Sequence, residues 1–200
     1  LSDATARLRA MITAADYAWQ RDWEEIYTVT FVKGADEDEV LRRFGVTHPG
    51  EVTWDDVYER YEERDGENDL VVVARTGDWV IALHMWGWEA AENVFLEKMS
   101  RGGEAVSVMR HDYAASHYFG HAVDGSVRTT FPPNRPGERD GAAPDALLDD
   151  MRDLGLDPDP EDYSLSGRVA AALALASRIT GVLFTPGLFQ DPLYGGTFGE

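Results

Sequence analysis

Ser116-His-Tyr-Phe-Gly-His-Ala-Val123, then Asp124-Gly125, then Ser126-Val-Arg-Thr-Thr-Phe131 is the stretch that decides the fold. Two alternating segments meet across Asp-Gly, and both central residues of a type I′ turn need positive φ, which Gly accepts freely and Asp tolerates. A two-residue turn sets Val123 opposite Ser126, His121 opposite Arg128 and Phe119 opposite Thr130. A hairpin here makes the sheet antiparallel.

The neighbouring segments agree. Leu70–Arg75 and Trp79–Trp88 flank Thr76-Gly77-Asp78, a second hairpin, and the apolar character of both faces of Trp79–Trp88 places that strand inside the sheet. Ile26–Val32 is β-branched or aromatic throughout, and Ala105–Arg110 supplies a further strand. Between the strands lie helix signals. Asp36–Glu39 precedes Val40, Leu41 and Phe44 and ends at Gly45, so the acidic run complements the first turn of a helix. Thr53 and Asp56 have capping-box spacing ahead of Val57 and Tyr61. Residues 91–99 carry Val94, Phe95 and Met99 inward.

The expected class is α+β, one domain over residues 1–200, with an antiparallel sheet of about five or six strands and helices mainly on one face. An N-terminal helix is expected over 3–20, with Leu8, Met11, Ile12, Ala15 and Trp19 on one stripe. The sheet and its helices occupy 26–131, and the Pro/Gly-rich segment 132–143 is an irregular loop. A helical part follows over 144–190, led by Pro144 and then by an Ala-rich helix from Leu165 to Ile179 that stops at Gly181. Thr185-Pro186 begins one further turn, and the Gly-rich tail from Gly195 is expected to fray.

Composition narrows the function. Thirty-seven acidic and 18 basic residues in 200 leave a net charge of −19. Binding to nucleic-acid phosphates or to an anionic membrane surface draws on Lys and Arg, so neither partner is expected. The chain has no cysteine, which excludes disulfides, thiol nucleophiles and thiolate metal sites. No apolar run approaches the ~20 residues of a membrane span. The opening Leu-Ser-Asp-Ala lacks a basic patch and an apolar signal core, so the expected location is cytoplasmic, and the absent initiator Met leaves the true start open. Composition fixes no oligomeric state.

The candidate chemistry is sparse. G-x-S-x-G, Walker and H-E-x-x-H motifs are absent, and Asp157–Asp162 has prolines where an EF-hand loop turns on Gly. His117 and His121 would share a zinc on a helix, but on a strand they stand ~13 Å apart at ~3.3 Å per residue. His111, Asp112 and His117 could meet only through a tight connection, and no metal or other cofactor is expected. His84, inside an apolar strand, reads first as a core histidine and acquires an acid–base reading only with a carboxylate such as Glu89 beside it. Six tryptophans are present. Strand alternation puts Trp86 and Trp88 on the side of His84 and turns Trp79 away, so an exposed aromatic sheet face is a candidate binding platform. Tyr27 and Tyr118 are its candidate polar groups.

Several of these segments carry a resemblance. Tyr27-Thr-Val-Thr-Phe-Val-Lys-Gly34 with Asp38-Glu-Val-Leu-Arg-Arg-Phe-Gly45, Ala122-Val-Asp-Gly125 with Thr130-Phe-Pro132, Pro144-Asp-Ala-Leu, Met151-Arg-Asp-Leu-Gly155-Leu and Ala174-Leu-Ala-Ser-Arg-Ile-Thr-Gly181 run in order over about residues 15–190. In these the chain resembles the largely actinobacterial domain of unknown function numbered 6461. The resemblance implies a bacterial, intracellular protein and brings no activity, cofactor or catalytic residue. The His111–His121 stretch departs from it, so any metal reading rests on those residues alone.

The sequence therefore points to a non-enzymatic binding protein that holds a basic protein partner, such as a toxin it neutralises, through an acidic surface and a Trp-rich sheet face. The competing expectation is a small-ligand binder or enzyme with a pocket of His84, Trp86 and Trp88.

Overall fold

Uninterrupted β-branched and aromatic residues over 26–32 make Ile26–Lys33 the strand β1, and both of its neighbours pair with it antiparallel. The computed structural model describes residues 11–159 and 167–199. The first part of the expected 3–20 helix, the end of Asp157–Asp162 and the start of the Leu165 helix lie outside the described residues.

The remaining strands are β2 (Gly50–Val52), β3 (Leu70–Thr76), β4 (Trp79–Met85), β5 (Glu104–His111), β6 (Tyr118–Val123), β7 (Ser126–Phe131) and β8 (Leu193–Thr197). They form one sheet in the order β2-β8-β3-β4-β1-β5-β6-β7. The helices are α1 (Glu37–Phe44), α2 (Trp54–Glu63), α3 (Asn93–Met99), α4 (Leu148–Asp153) and α5 (Arg168–Thr180), with 3-10 segments at Ala14–Asp22, Glu89–Ala91 and Pro186–Leu188. The class is α+β with a single antiparallel sheet, as expected.

Eight strands replace the expected five or six. The two additions are β2, too short to show alternation, and β8, in the tail expected to fray. Its glycines are there for close approach. A Cβ at Gly195 would lie 2.3 Å from the Val71 carbonyl oxygen, and one at Gly196 would lie 2.6 Å from Val46 Cγ1. The bare backbone slots β8 between β2 and β3.

Helices cover both faces of the sheet rather than one. Tyr27, Val29, Phe31, Ile81, Leu83, Val106 and Val108 pack with Tyr17, Val57, Met151 and the α5 residues Val169 and Leu173. On the opposite face Val32, Val80, Ala82, Ala105 and Ala122 pack with Val40, Leu41 and Phe44 of α1 and Leu96 and Met99 of α3. Each such apolar side chain contributes roughly 1.5–3 kcal/mol when fully buried. The alanines of α5 place that helix close to its sheet face, and Arg178 ties it to α4 through Asp150 at 2.8 Å and Asp153 at 2.6 Å.

Two local expectations are corrected. The segment before β1 is a 3-10 helix over Ala14–Asp22 that buries Tyr17 and Gln20, with Met11 exposed rather than on an inward stripe. The Asp124-Gly125 turn forms with φ of 50° and 76° and Val123 faces Ser126, but a bulge then shifts the register. Beyond it His121 faces Thr129 rather than Arg128, and Phe119 faces Phe131 rather than Thr130. Phe119 and Phe131 consequently stack, with centroids 4.8 Å apart.

Candidate functional site

The pairing of β4, β1, β5 and β6 aligns His84, Thr28, Met109 and Tyr118 in one row across the sheet. Because strand side chains alternate, this row faces the α1/α3 side while Tyr27 and Leu83 face the other. The chain leaving β4 folds back over the row. Its exit is set by Trp86, whose φ of 51° ends the strand. The Thr28 hydroxyl donates to the Gly87 carbonyl at 2.7 Å, and the buried Ser107 hydroxyl donates to the Ala90 carbonyl at 3.0 Å. Together they pin the segment 87–91 to the sheet.

The kink overturns the alternation expected for the tryptophans. Trp86 is 7% exposed and turns to the other face, where its ring meets Tyr61 at 4.4 Å and Tyr58 at 5.2 Å. Trp79 is buried, and Trp19, Trp23 and Trp54 are half-buried against the same core. Trp88 alone of the six tryptophans is exposed, at 40%. Among the described residues helices cover both sides of the sheet, and Trp86 and His84 lie on opposite faces of it.

Trp88 instead overhangs a hollow of about 270 Å³ lined with Ala91, Met109, His111, Ala114 and Ser116. Its ring lies 5.7 Å from that of His111. Tyr113, 92% exposed, projects from the turn that follows β5. Tyr118 lies in the same row as Met109 and donates its hydroxyl to Asn93 Oδ1 at 3.0 Å, and burial raises its pKa. Tyr27 is excluded from this site. It is fully buried on the opposite face, donates to Gln20 Oε1 at 3.4 Å, and is pushed up by the same cause.

His111, Asp112 and His117 do come together, in the turn between β5 and β6, with His117 Nε2 3.9 Å from Asp112 Oδ1, but both Nδ1 atoms and the Asp112 carboxylate are already engaged. The Ala114 N–H donates to His111 Nδ1 and the His111 N–H donates to His117 Nδ1, both at 3.2 Å. Arg110 grips the Asp112 carboxylate through Nε at 3.0 Å and Nη2 at 2.5 Å, holding it below the usual carboxylate range. Arg110 also donates to the Gln20 and Glu24 carbonyls, which fixes the turn to the chain entering β1. Burial lowers the His117 pKa. Among the described residues no group of three or more His, Asp or Glu side chains is arranged to hold a metal ion.

His84 is fully buried, with Nε2 2.6 Å from the Asn68 carbonyl and Nδ1 3.4 Å from Glu89 Oε2. The carboxylate that an acid–base reading requires is thus present. The Phe198 and imidazole rings pack in a T shape with centroids 5.1 Å apart and the Gly87 backbone covers the imidazole, so the ring is enclosed by protein.

Met109, Ala91, Ser116 and Arg110 are site residues that sequence reasoning missed. Nothing in their local pattern separates them from ordinary strand and loop residues. The signal available was positional, since Met109 and Tyr118 lie in the row of His84 once the strands are paired.

Among the described residues no helix is long and apolar enough to cross a membrane. A family profile described as "Family of unknown function (DUF6461)" matches residues 10–197. No curated protein and no solved structure matches the chain.

Proposed function

The chain belongs to the DUF6461 family of unknown function, and we propose that it is a non-enzymatic binding protein that holds a basic protein partner through an acidic surface anchored at Trp88. The observation supporting this reading is the exposed indole over an apolar hollow, in a chain of net charge −19. Glu89 and Glu92, both exposed, flank the lining residues in the chain. The Glu25 carbonyl accepts from the Asp112 N–H at 3.1 Å, so the backbone of a third exposed acidic residue meets the same turn. An aromatic face with carboxylates around it suits a Lys or Arg side chain, whose stem fills the apolar floor while its charge lies over the ring.

The remaining negative charge speeds encounter with a basic surface, and tryptophan is enriched among residues that dominate binding energy. Neutralisation of a basic toxin in the cytoplasm is the form of this reading that the charge favours.

Affinity capture from a lysate of the producing organism, at low and high salt, tests the proposal. A basic protein retained at low salt, released at high salt and lost on Trp88→Ser is the expected result. Repeated capture of nothing, or of the same protein by the Trp88→Ser variant, would overturn it.

A further inference from the structure

His84 presents an unusual arrangement of acceptors. The Asn68 carbonyl 2.6 Å from Nε2 can only accept, so Nε2 carries the hydrogen of a neutral ring. Nδ1 is then a buried lone pair without a donor. The group it faces is Glu89 Oε2 at 3.4 Å, a second acceptor. What satisfies both atoms is a proton between them.

We propose that His84 and Glu89 form a proton-binding pair that regulates the Trp88 site, neutral at His84 above mild acidity and bridged by Nδ1–H below it. This rests on the partner-binding reading for its consequence, while the proton switch itself stands on the geometry alone. Three consecutive residues connect the pair to the site. The Gly87 backbone lies against the imidazole, so close that a Cβ there would sit 1.8 Å from Cε1. Glu89 Oε2 accepts the Trp88 N–H at 3.1 Å. Glu89 is itself a carboxylate beside the hollow, half-exposed.

Among the described residues the charged groups that face His84 are Glu89 and Asp69. Asp69 is paired with Arg60 at 2.6 Å and Arg64 at 3.2 Å. β1 presents Thr28 to the ring and the C-terminal segment presents Phe198, both uncharged. Burial holds the imidazole below its usual range, with Glu89 and Asp69 opposing. The ring is therefore neutral at pH 7 and takes the proton that Nδ1 and Glu89 can share only on acidification. When it does, Glu89 is drawn to Nδ1 and its charge is cancelled, which removes one carboxylate from the rim that attracts a cation. Partner affinity is expected to fall on acidification.

Nitrogen-detected histidine NMR on the full chain from pH 8 to pH 5, with Trp88 emission read as the difference between wild type and Trp88→Phe, tests the switch. The expected result is an Nε2–H tautomer at pH 8, both nitrogens protonated in acid with a midpoint below about 6.5, and a Trp88 emission change at the same midpoint. In Glu89→Gln the amide N–H donates to Nδ1, so the ring stays neutral across the range and the emission change is lost. In Glu89→Ala, which offers neither donor nor charge, the midpoint falls further. A His84 ring that stays neutral to pH 5 in folded wild type, or a Glu89→Gln protein that titrates and shifts Trp88 as wild type does, would overturn the proposal. Both readouts are made without a partner, so failure of the switch and failure of partner capture are separate results.

Discussion

Gly87 shows how one side chain's absence positions the site. The imidazole of His84 fills the space that a Cβ would occupy, 1.8 Å from Cε1, while the Thr28 hydroxyl holds the Gly87 carbonyl from the other side. Gly87→Ala must displace the ring or lift the 87–91 segment from the sheet. The expected loss is about 1–3 kcal/mol, measured by denaturant unfolding, with weakened amide protection at Ala90 and Ala91. At the same scale the sequence singled out His84, Glu89 and Trp88, because a histidine in an apolar strand and a dense run of tryptophans are visible in one dimension. It misdirected Trp86, because nothing local announces that a tryptophan will take a φ of 51° and end β4. The tight connection that brings His111, Asp112 and His117 together was open in the sequence, since the Arg110 clamp and the two N–H donors become visible only once the turn is folded.

At the scale of elements, signals confined to one helix or turn were legible and those that needed a distant partner were not. Thr53 and Asp56 form the capping box that their spacing predicts, with the Thr53 N–H donating to Asp56 Oδ2 at 2.6 Å and the Asp56 N–H donating to Thr53 Oγ1 at 3.2 Å. Thr53→Ala should cost ~1 kcal/mol, again by denaturant unfolding, without loss of the sheet. The Asp124-Gly125 turn was equally legible. The bulge beyond it was not, because nothing in the turn residues announces the extra residue between Val127 and Thr129. The strand β8 was hidden for the opposite reason. Gly195 and Gly196 resemble a loose tail, yet a Cβ at Gly195 would meet the Val71 carbonyl oxygen at 2.3 Å. Gly195→Val should expel β8, so hydrogen exchange should speed at Val52 and at Val71–Val73 while β1, β4 and β5 keep their protection.

At the scale of the whole molecule, pH acts in one direction. Arg75 holds Glu37 below the usual carboxylate range, Arg42 and Arg43 bring Glu39 down to about 2, and Arg110 holds Asp112 low. Burial raises Asp69, but Arg60 and Arg64 outweigh it and leave its pKa lowered. Stability from these carboxylates is present above the unfolded carboxylate pKa and is lost as pH falls through the folded values. Burial lowers the pKa of His84 and His117 in the folded state. The unfolded chain therefore takes their protons first, and stability declines as pH falls below about 6.5. Thermal unfolding from pH 8 to pH 4 should show a first decline starting near that histidine value and a second in the carboxylate range, with no rise between them.

The net charge of −19 and the single exposed tryptophan converge on one claim, that Trp88 marks where a basic partner docks. The chain has no native cysteine, so one introduced thiol carries a photocrosslinker at a chosen position. Ala114→Cys places it in the lining of the hollow, and Glu63→Cys places it at the exposed end of α2 as a control. Irradiation in a lysate of the producing organism should join the Ala114 probe to a basic protein at low salt, less at high salt, with no such product from the Glu63 probe. No crosslink at Ala114, or the same product from both positions, would contradict the account.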